Sequence, residues 1–332
     1  MLNAGNLLNA KKWSRRGLLK LVKPLILMRA WAPVSANFGG GLAAAHRDYR
    51  ADAIILLFGM PIFSKAGVGS GFSFVEDLTE HGPRTRRMGF GGGSWPDRAG
   101  GLNRLGYIHE TVTEAGPRTG EASYFGFMTT SQEEKLEEAH KALSESQQNA
   151  LFSAIQGESR RGAYTAKFTR FLSKDANSWR QWHAMAAAAE RSFNGECVSS
   201  REERGSPGMP ETVLATLLYS LLKVRESNFA PVRVIFIYGG LQRTLETVAG
   251  VDAKLGDKLR QRGIVKRAEA VVHVIGTTKN LQTGAKTRFS VWWDKDSQSP
   301  LPVRIELEPR SFLRLAFEAD PKAGEGQGSV KA

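Results

Sequence analysis

Cysteine is almost absent from this chain, in which Cys197 is the only one among 332 residues. A single cysteine cannot form a disulfide within the chain, so cysteine usage neither indicates nor excludes export. A catalytic thiol needs a histidine and a basic environment nearby. The polar stretch 195–208 around Cys197 contains no histidine, and we therefore interpret this cysteine as a surface-loop residue.

Sequence motifs of known chemistry are also missing. The chain has no paired-histidine zinc spacing, no nucleophile elbow and no phosphate-binding loop with its lysine. His109 and His273 lie in strand-like segments, where a histidine is usually packed or hydrogen-bonded. Asp294 and Asp296 could form an acid–base pair, but aspartate is common in turns for its own hydrogen bonds. We predict no catalytic residues, no metal and no cofactor, and an enzyme is the less favoured interpretation.

Long apolar runs are lacking as well. No run approaches 18 uncharged apolar residues, so we predict no transmembrane span. The chain is nevertheless 41% hydrophobic, which is enough to build a core in a domain of this length.

Positive charge is concentrated at one end of the sequence. The chain has 46 basic and 33 acidic residues, but seven of the basic residues and none of the acidic ones lie within positions 1–36. The remainder has 39 basic against 33 acidic residues, which is only modestly basic. The clusters Arg84, Arg86, Arg87 and Arg160, Arg161 are interpreted as solvated loops, and nucleic acid is not predicted as a partner.

Residues 1–36 have the features of an export signal. A basic start precedes an apolar segment at 18–28 and small residues at 34–36. The sequence Ser-Arg-Arg-Gly-Leu-Leu-Lys at 14–20 resembles a twin-arginine export motif. Lys23 and Pro24 interrupt the apolar segment, so an amphipathic basic leader or a start codon placed too early stay open as alternatives. We expect a periplasmic or secreted protein.

Residues 270–317 show the clearest regular pattern, which is that of four consecutive strands. In the second strand Phe289, Val291 and Trp293 alternate with polar residues and Trp292, and in the third Val303, Ile305 and Leu307 alternate with charged residues. A two-residue period with short turns predicts an antiparallel meander.

The rest of the body adds further strands and a few helices. Strand pairs are predicted at 107–113 with 122–128 and at 232–238 with 242–248, single strands at 54–58 and 164–172, and a curved hairpin at 67–75. Helices packed outside the sheet are predicted at 131–144, 178–192 and 211–225. Loops are predicted at 89–96, 195–210 and 250–265. We predict a mainly β fold over 45–320, an antiparallel meander curled into a barrel or half-barrel with a few flanking helices, and a disordered tail at 321–332.

The order of these elements resembles that of the exported bacterial domain-of-unknown-function family thirty-one-oh-eight. The resemblance rests on the strand at Tyr49 with its glycine-rich partner, the leucine-rich helix before Arg225, the strand pair 232–248, and the closing segments 291–294 (Val-Trp-Trp-Asp) and 301–306 (Leu-Pro-Val-Arg-Ile-Glu). The resemblance covers most of residues 49–318. It fails at 84–200, where the extra strands and helices have no counterpart in the family. It implies an envelope protein with a β-barrel-like fold and no established activity or catalytic residues.

Two functions fit such a fold, and the residues alone leave both open. In one, the curved sheet binds an apolar or amphiphilic ligand such as a lipid, in an interior lined by Phe289, Val291, Trp293, Val303, Ile305 and Leu307. In the other, the chain is a structural or protein-interaction module of the envelope with a fully packed core. An internal apolar cavity would favour the first hypothesis, and a helix at 211–225 that fills the interior would remove its site.

Overall fold

The computed structural model describes residues 44–57, 60–79, 81–99, 104–114, 120–129, 150–160, 163–173, 182–205, 217–238, 241–310 and 313–321. All of them belong to one compact unit, Gly39–Ala332. The predicted export signal at 1–36, the predicted helix at 131–144 and residues 322–332 of the predicted tail lie outside the described residues.

Strands dominate the described residues and form one antiparallel sheet. They are β1 (Ala44–Leu57), β2 (Met60–Asp77), β3 (Thr85–Ser94), β4 (Leu105–Glu114), β5 (Gly120–Thr129), β6 (Ala150–Arg160), β7 (Ala163–Ser173), β8 (Ser199–Gly205), β9 (Arg233–Tyr238), β10 (Leu241–Val251), β11 (Val271–Asn280), β12 (Lys286–Asp294), β13 (Arg304–Arg310) and β14 (Leu313–Ala319). Their order is β8-β7-β6-β5-β4-β3-β2-β1-β14-β13-β12-β11-β10-β9. The mainly β antiparallel fold and its closing meander are confirmed.

Three α-helices occur in the described part of the chain: α1 (Trp182–Phe193), α2 (Leu217–Glu226) and α3 (Ala253–Gln261). The first two confirm the predicted helices at 178–192 and 211–225 within the described residues. The third lies where a polar loop was predicted. The helix begins after Asp252, and aspartate is a common N-cap residue that could have indicated this start in the sequence. In the structure the Asp252 side chain accepts a hydrogen bond from the backbone N–H of Leu255 at 3.0 Å.

The sheet curls around α2. This helix contacts β3 and β4 and also β9, although β3 and β9 are eight positions apart in the strand order. A flat sheet with about 4.8 Å per strand would separate them by about 38 Å, whereas a helix with its side chains is about 10–12 Å across. The run from β4 through β1 and β14 to β9 is therefore a half-barrel, and α2 lies on its concave face.

This position corrects the prediction that every helix packs outside. The helix α1 does cover the opposite face, where it packs on β5, β6 and β7 over a cluster that includes Phe125, Phe127 and Phe152. The helix α2 packs on Val112 and Ala122, which alternate with that cluster along β4 and β5. An apolar stripe on a helix does not tell which face of a sheet it will cover.

Two predicted loops are strands. The segment 195–210 contains β8, which is an edge strand of the sheet. Because little of either face of β8 is buried, its sequence is mostly charged and shows no alternation of apolar and polar residues. The segment 89–96 belongs largely to β3. A Cβ atom built on Gly89 would lie 2.3 Å from the ring of Phe74 on β2, so this glycine leaves room for an aromatic ring from the neighbouring strand.

The predicted hairpin at 67–75 is a single long strand with a bulge. The register of β1 and β2 shifts between Ala51 and Ala53. At the shift Gly67 has φ +62°, and its N–H donates to the Asp52 carboxylate at 2.7 Å. A glycine with positive φ is typical of a bulge that bends a strand, so Gly67 serves curvature and not a turn.

Replacing Gly89 by alanine should lower the free energy of unfolding by about 1–3 kcal/mol, the usual cost of overpacking. The new methyl group would collide with the Phe74 ring. Gly250→Ala is the matched control, because no heavy atom lies within 4 Å of a Cβ built there. Urea unfolding of both variants measures the difference. Equal unfolding midpoints would show that the Phe74 ring does not need the space left by the missing side chain of Gly89.

Candidate functional site: the helix-filled concave face

Five of the six side chains predicted to line an interior come together on the concave face. Phe289 pairs with Leu307 and Val291 pairs with Ile305 across β12 and β13. These four and Trp293 belong to one apolar cluster, in which Phe289, Val291 and Trp293 are buried. The period of two therefore places the predicted set on one side of the sheet.

Val303 is the exception. It lies just before β13, where its N–H donates to the carbonyl of Trp292 at 2.7 Å. Its side chain packs with Trp292, Leu259 and Val265 in the cluster beneath α3. The alternation that predicted Val303 on the same face as Ile305 holds only inside a regular strand, and Val303 lies outside it.

The helix α2 and the turn after it occupy the space in front of the predicted lining. Val224 is fully buried in the lining cluster, and Leu221 packs against the cluster. Asn228 and Phe229 have positive φ angles, and the N–H of Phe229 returns to the carbonyl of Val224 at 2.9 Å. This left-handed turn ends the helix and carries the Phe229 ring to within 5.8 Å of the Trp293 ring centroid.

A buried carboxylate holds the N-terminal end of α2. Glu110 on β4 is 1% exposed, and its Oε2 accepts hydrogen bonds from the backbone N–H groups of Leu218 at 3.0 Å and Tyr219 at 3.4 Å. Backbone N–H groups in the first turn of a helix have no partner within the helix, and a negative charge there is favoured. Glu110 therefore caps α2 from the sheet.

An ion-pair network holds the C-terminal end. Arg86 on β3 is 3% exposed and forms ion pairs with Glu226 and, at 2.6 Å, with Glu114. Lys223 joins the same carboxylates at 3.1 and 3.2 Å. Burial disfavours ionised Glu114, but hydrogen bonds from Arg86, Tyr219 and Lys223 outweigh it and lower the pKa of this carboxyl to about 2. The network therefore stays ionised at neutral pH.

The sequence interpretation missed this network, because Arg84, Arg86 and Arg87 were predicted to lie in a solvated loop. Arg86 and Arg87 are instead in β3, and Arg87 donates to the buried carboxylate of Glu76 at 2.7 Å. Charged residues within a strand mask the alternation of apolar and polar residues by which a strand is recognised in a sequence. The partner Glu226 is 140 residues away, so no local pattern could have indicated it.

A second concavity lies on the opposite face of the meander. Its volume is about 310 Å³, and its lining includes His273, Trp292 and Glu306. The rings of His273 and Trp292 stack with centroids 4.2 Å apart, and burial lowers the pKa of His273. Glu306 is paired with Arg304 at 2.7 Å. The cleft also contains Glu308, which pairs with Arg314 at 2.7 Å. Its lining is thus polar, and both of its carboxylates are already paired with arginines.

The remaining residues considered for chemistry, one histidine and two aspartates, lie in the core or in a turn. Burial and the charge of Arg87 lower the pKa of His109 to about 4, so this histidine is neutral in the core at pH 7. Asp294 accepts a hydrogen bond from the N–H of Asp296 at 3.0 Å, and Asp296 pairs with Arg267, which is the turn role weighed for them. Within the described ranges, no group of three or more His, Cys, Asp or Glu could hold a metal ion.

No helix among the described residues is long and apolar enough to cross a membrane.

Comparison with known proteins adds a similar fold. No family model and no curated protein matches the chain. A crystal structure of a beta-barrel-like protein of domain of unknown function DUF1849 from Brucella abortus is similar at 11% identity and a TM-score of 0.41, covering 83% of this chain and 95% of that one. The chain is thus similar to a beta-barrel-like protein of unknown function. The narrower assignment to family thirty-one-oh-eight stays a prediction.

Replacing Arg86 by methionine should lower the free energy of unfolding by about 2–3 kcal/mol. Breaking a buried ion pair costs about 3–5 kcal/mol, and the loss is smaller here because Glu114 and Glu226 are partly exposed to water. Arg160→Met is the control, since Arg160 and Glu121 form an exposed ion pair worth about 1 kcal/mol or less. Denaturant unfolding that gave equal losses would contradict the anchoring role of Arg86.

Proposed function

We propose that this chain is a non-catalytic module of the cell envelope that acts through its outer surface and does not carry an apolar molecule inside its curved sheet. One observation carries the proposal: α2 and Phe229 pack against the side chains that a ligand would have to contact. The leader sequence and the resemblance to an exported family support an envelope location.

The carrier hypothesis would require α2 to leave the concave face. That movement would expose Val224 and Phe229 to water and uncap the N-terminal end of the helix at Glu110. It would also separate Arg86 from Glu226. Each of these losses opposes release of the helix, and an apolar ligand would have to compensate for all of them. A module with a filled interior is therefore the function that the geometry supports best.

Native mass spectrometry of protein purified from its envelope fraction tests the filled interior. We expect the mass of the polypeptide alone. A carrier would instead show a one-to-one lipid adduct that Trp293→Ala removes and Trp292→Ala retains, because these buried tryptophans lie in the clusters on opposite faces. Such an adduct would overturn the proposal and restore an internal ligand site.

Export is proposed to depend on the paired arginines of the leader. Replacing Arg15 and Arg16 by lysine should retain the protein in the cytoplasm, because twin-arginine signals require the arginine pair and not merely positive charge. Lys11→Arg with Lys12→Arg is the control and should leave export unchanged. Cell fractionation and mass spectrometry of the N-terminus give the readout, and a wild-type protein with an intact Met1 in the cytoplasmic fraction would contradict export.

A further inference from the structure

The end of the β1–β2 hairpin is an unusual concentration of exposed apolar side chains. Eight large hydrophobic side chains are exposed among the described residues, and four of them lie between positions 57 and 63. Leu57 is 51% exposed, Met60 64%, Ile62 61% and Phe63 60%. From residue 53 to residue 66 the sequence contains no acidic residue, and its one charged residue is Lys65.

This hairpin end extends beyond its neighbours in the sheet. In the described residues β3 pairs with β2 only from Gly69 onwards, and β14 pairs with β1 only as far as Ile55. Ile62 and Phe63 are consecutive in a strand, so their side chains point to opposite faces. Both faces are therefore apolar and uncovered. A protein that packed on one face would leave the other in water, whereas an apolar medium that surrounds the hairpin covers both.

A cationic surface lies at the same end of the sheet. Lys279 and Lys286 face each other across β11 and β12, and Arg288 follows two residues later on the same face. All three side chains are exposed, and residues 277–288 contain no acidic residue. Like charges at directly opposed strand positions repel each other. A nearby anion would relieve this repulsion.

Strand direction places the apolar and cationic features together. Because β1, β14, β13 and β12 are successively antiparallel, β12 begins at the end of the sheet where β1 finishes. The two strands are three positions apart, or about 14 Å. An anionic surface presented to this end would meet the hairpin and the three cations at once.

We propose that this end of the sheet binds the surface of an anionic lipid bilayer. The exposed apolar side chains of the hairpin end (Leu57, Met60, Ile62 and Phe63) insert among the headgroups, and Lys65, Lys279, Lys286 and Arg288 contact lipid phosphates. Three or four strand residues reach about 10 Å, which is the depth of interfacial insertion. At that depth water still hydrates the unpaired backbone edge of β2, which the hydrocarbon core would not allow.

This proposal identifies an anionic lipid bilayer as the partner of the module proposed above, and it rests on the proposed envelope location. Co-sedimentation with synthetic vesicles tests it independently of that location and of the filled interior. Purified protein should sediment with phosphatidylcholine vesicles that contain phosphatidylglycerol, and much less with pure phosphatidylcholine. Added salt should weaken the binding, because salt screens exposed charges. Failure to bind the anionic vesicles would overturn the lipid proposal and leave the filled interior in place.

Two pairs of variants assign the binding to named residues. Ile62→Ser with Phe63→Ser should weaken vesicle binding at least about tenfold, while Val248→Ser with Val251→Ser, which are similarly exposed on β10, should not. Lys279→Gln, Lys286→Gln and Arg288→Gln together should weaken it by about fivefold per cation. The matched triple Lys254→Gln, Lys258→Gln and Lys266→Gln alters exposed lysines in and just after α3 and should leave binding unchanged.

Three further results would overturn the proposal. Equal vesicle binding by the hairpin variant and the wild type would exclude insertion of the tip, and equal binding by the two cation triples would exclude a specific cationic surface. A wild-type dimer that Ile62→Ser with Phe63→Ser converts to a monomer would assign the hairpin to a second copy of the chain. Mass measurement in solution detects that dimer, and unchanged melting temperatures show that the variants remain folded.

Discussion

The structure depends on the packing of one ten-residue helix, α2, against two distant parts of the same sheet. Its residues Tyr219 and Leu222 pack with Met88 and Val112 of β3 and β4, whereas Leu221 and Val224 pack with the meander strands and β10. The helix could cover only one of these two surfaces if the sheet were flat. Burial of both sides of α2 therefore stabilises the curl itself, and the bulge at Asp52 and Gly67 lets β1 and β2 follow it.

Polar anchors determine where this helix lies along the concave face. Apolar packing is largely insensitive to direction, so it would tolerate a shift of α2 along the face. Hydrogen bonds and ion pairs require defined distances. Glu110 holds one end of the helix and Arg86 the other, from adjacent strands. Because Glu110 and Arg86 are both buried, displacing the helix would break the hydrogen bonds from Leu218 and Tyr219 to Glu110 and the ion pair between Arg86 and Glu226. The position of α2 is therefore specified more sharply than by its apolar stripe alone.

Much of the fold could be predicted from local patterns, and little of the site could. The meander follows from alternation at Phe289, Val291 and Trp293, because these side chains are buried while Arg288 and Ser290 on the other face are at least partly exposed. Alternation was uninformative in β3, where glycines lie under aromatic rings, and in β8, where neither face is buried. The partnership of Arg86 with Glu226 joins residues 140 apart, and a charged residue in a strand does not reveal whether it faces water or a buried carboxylate.

Local sequence patterns also do not distinguish apolar residues of the core from apolar residues of the surface. Trp293 and Phe63 both belong to strand-like apolar sequences, yet one is buried beneath a helix and the other is exposed on a projecting hairpin. An exposed apolar strand end is a liability in water because it favours association with other chains. Within the part of the chain that the structure describes, neither β3 nor β14 pairs with this end of the hairpin, so its exposed apolar side chains add little to the core. Its composition is therefore better explained by what it contacts outside the molecule than by the stability of the fold.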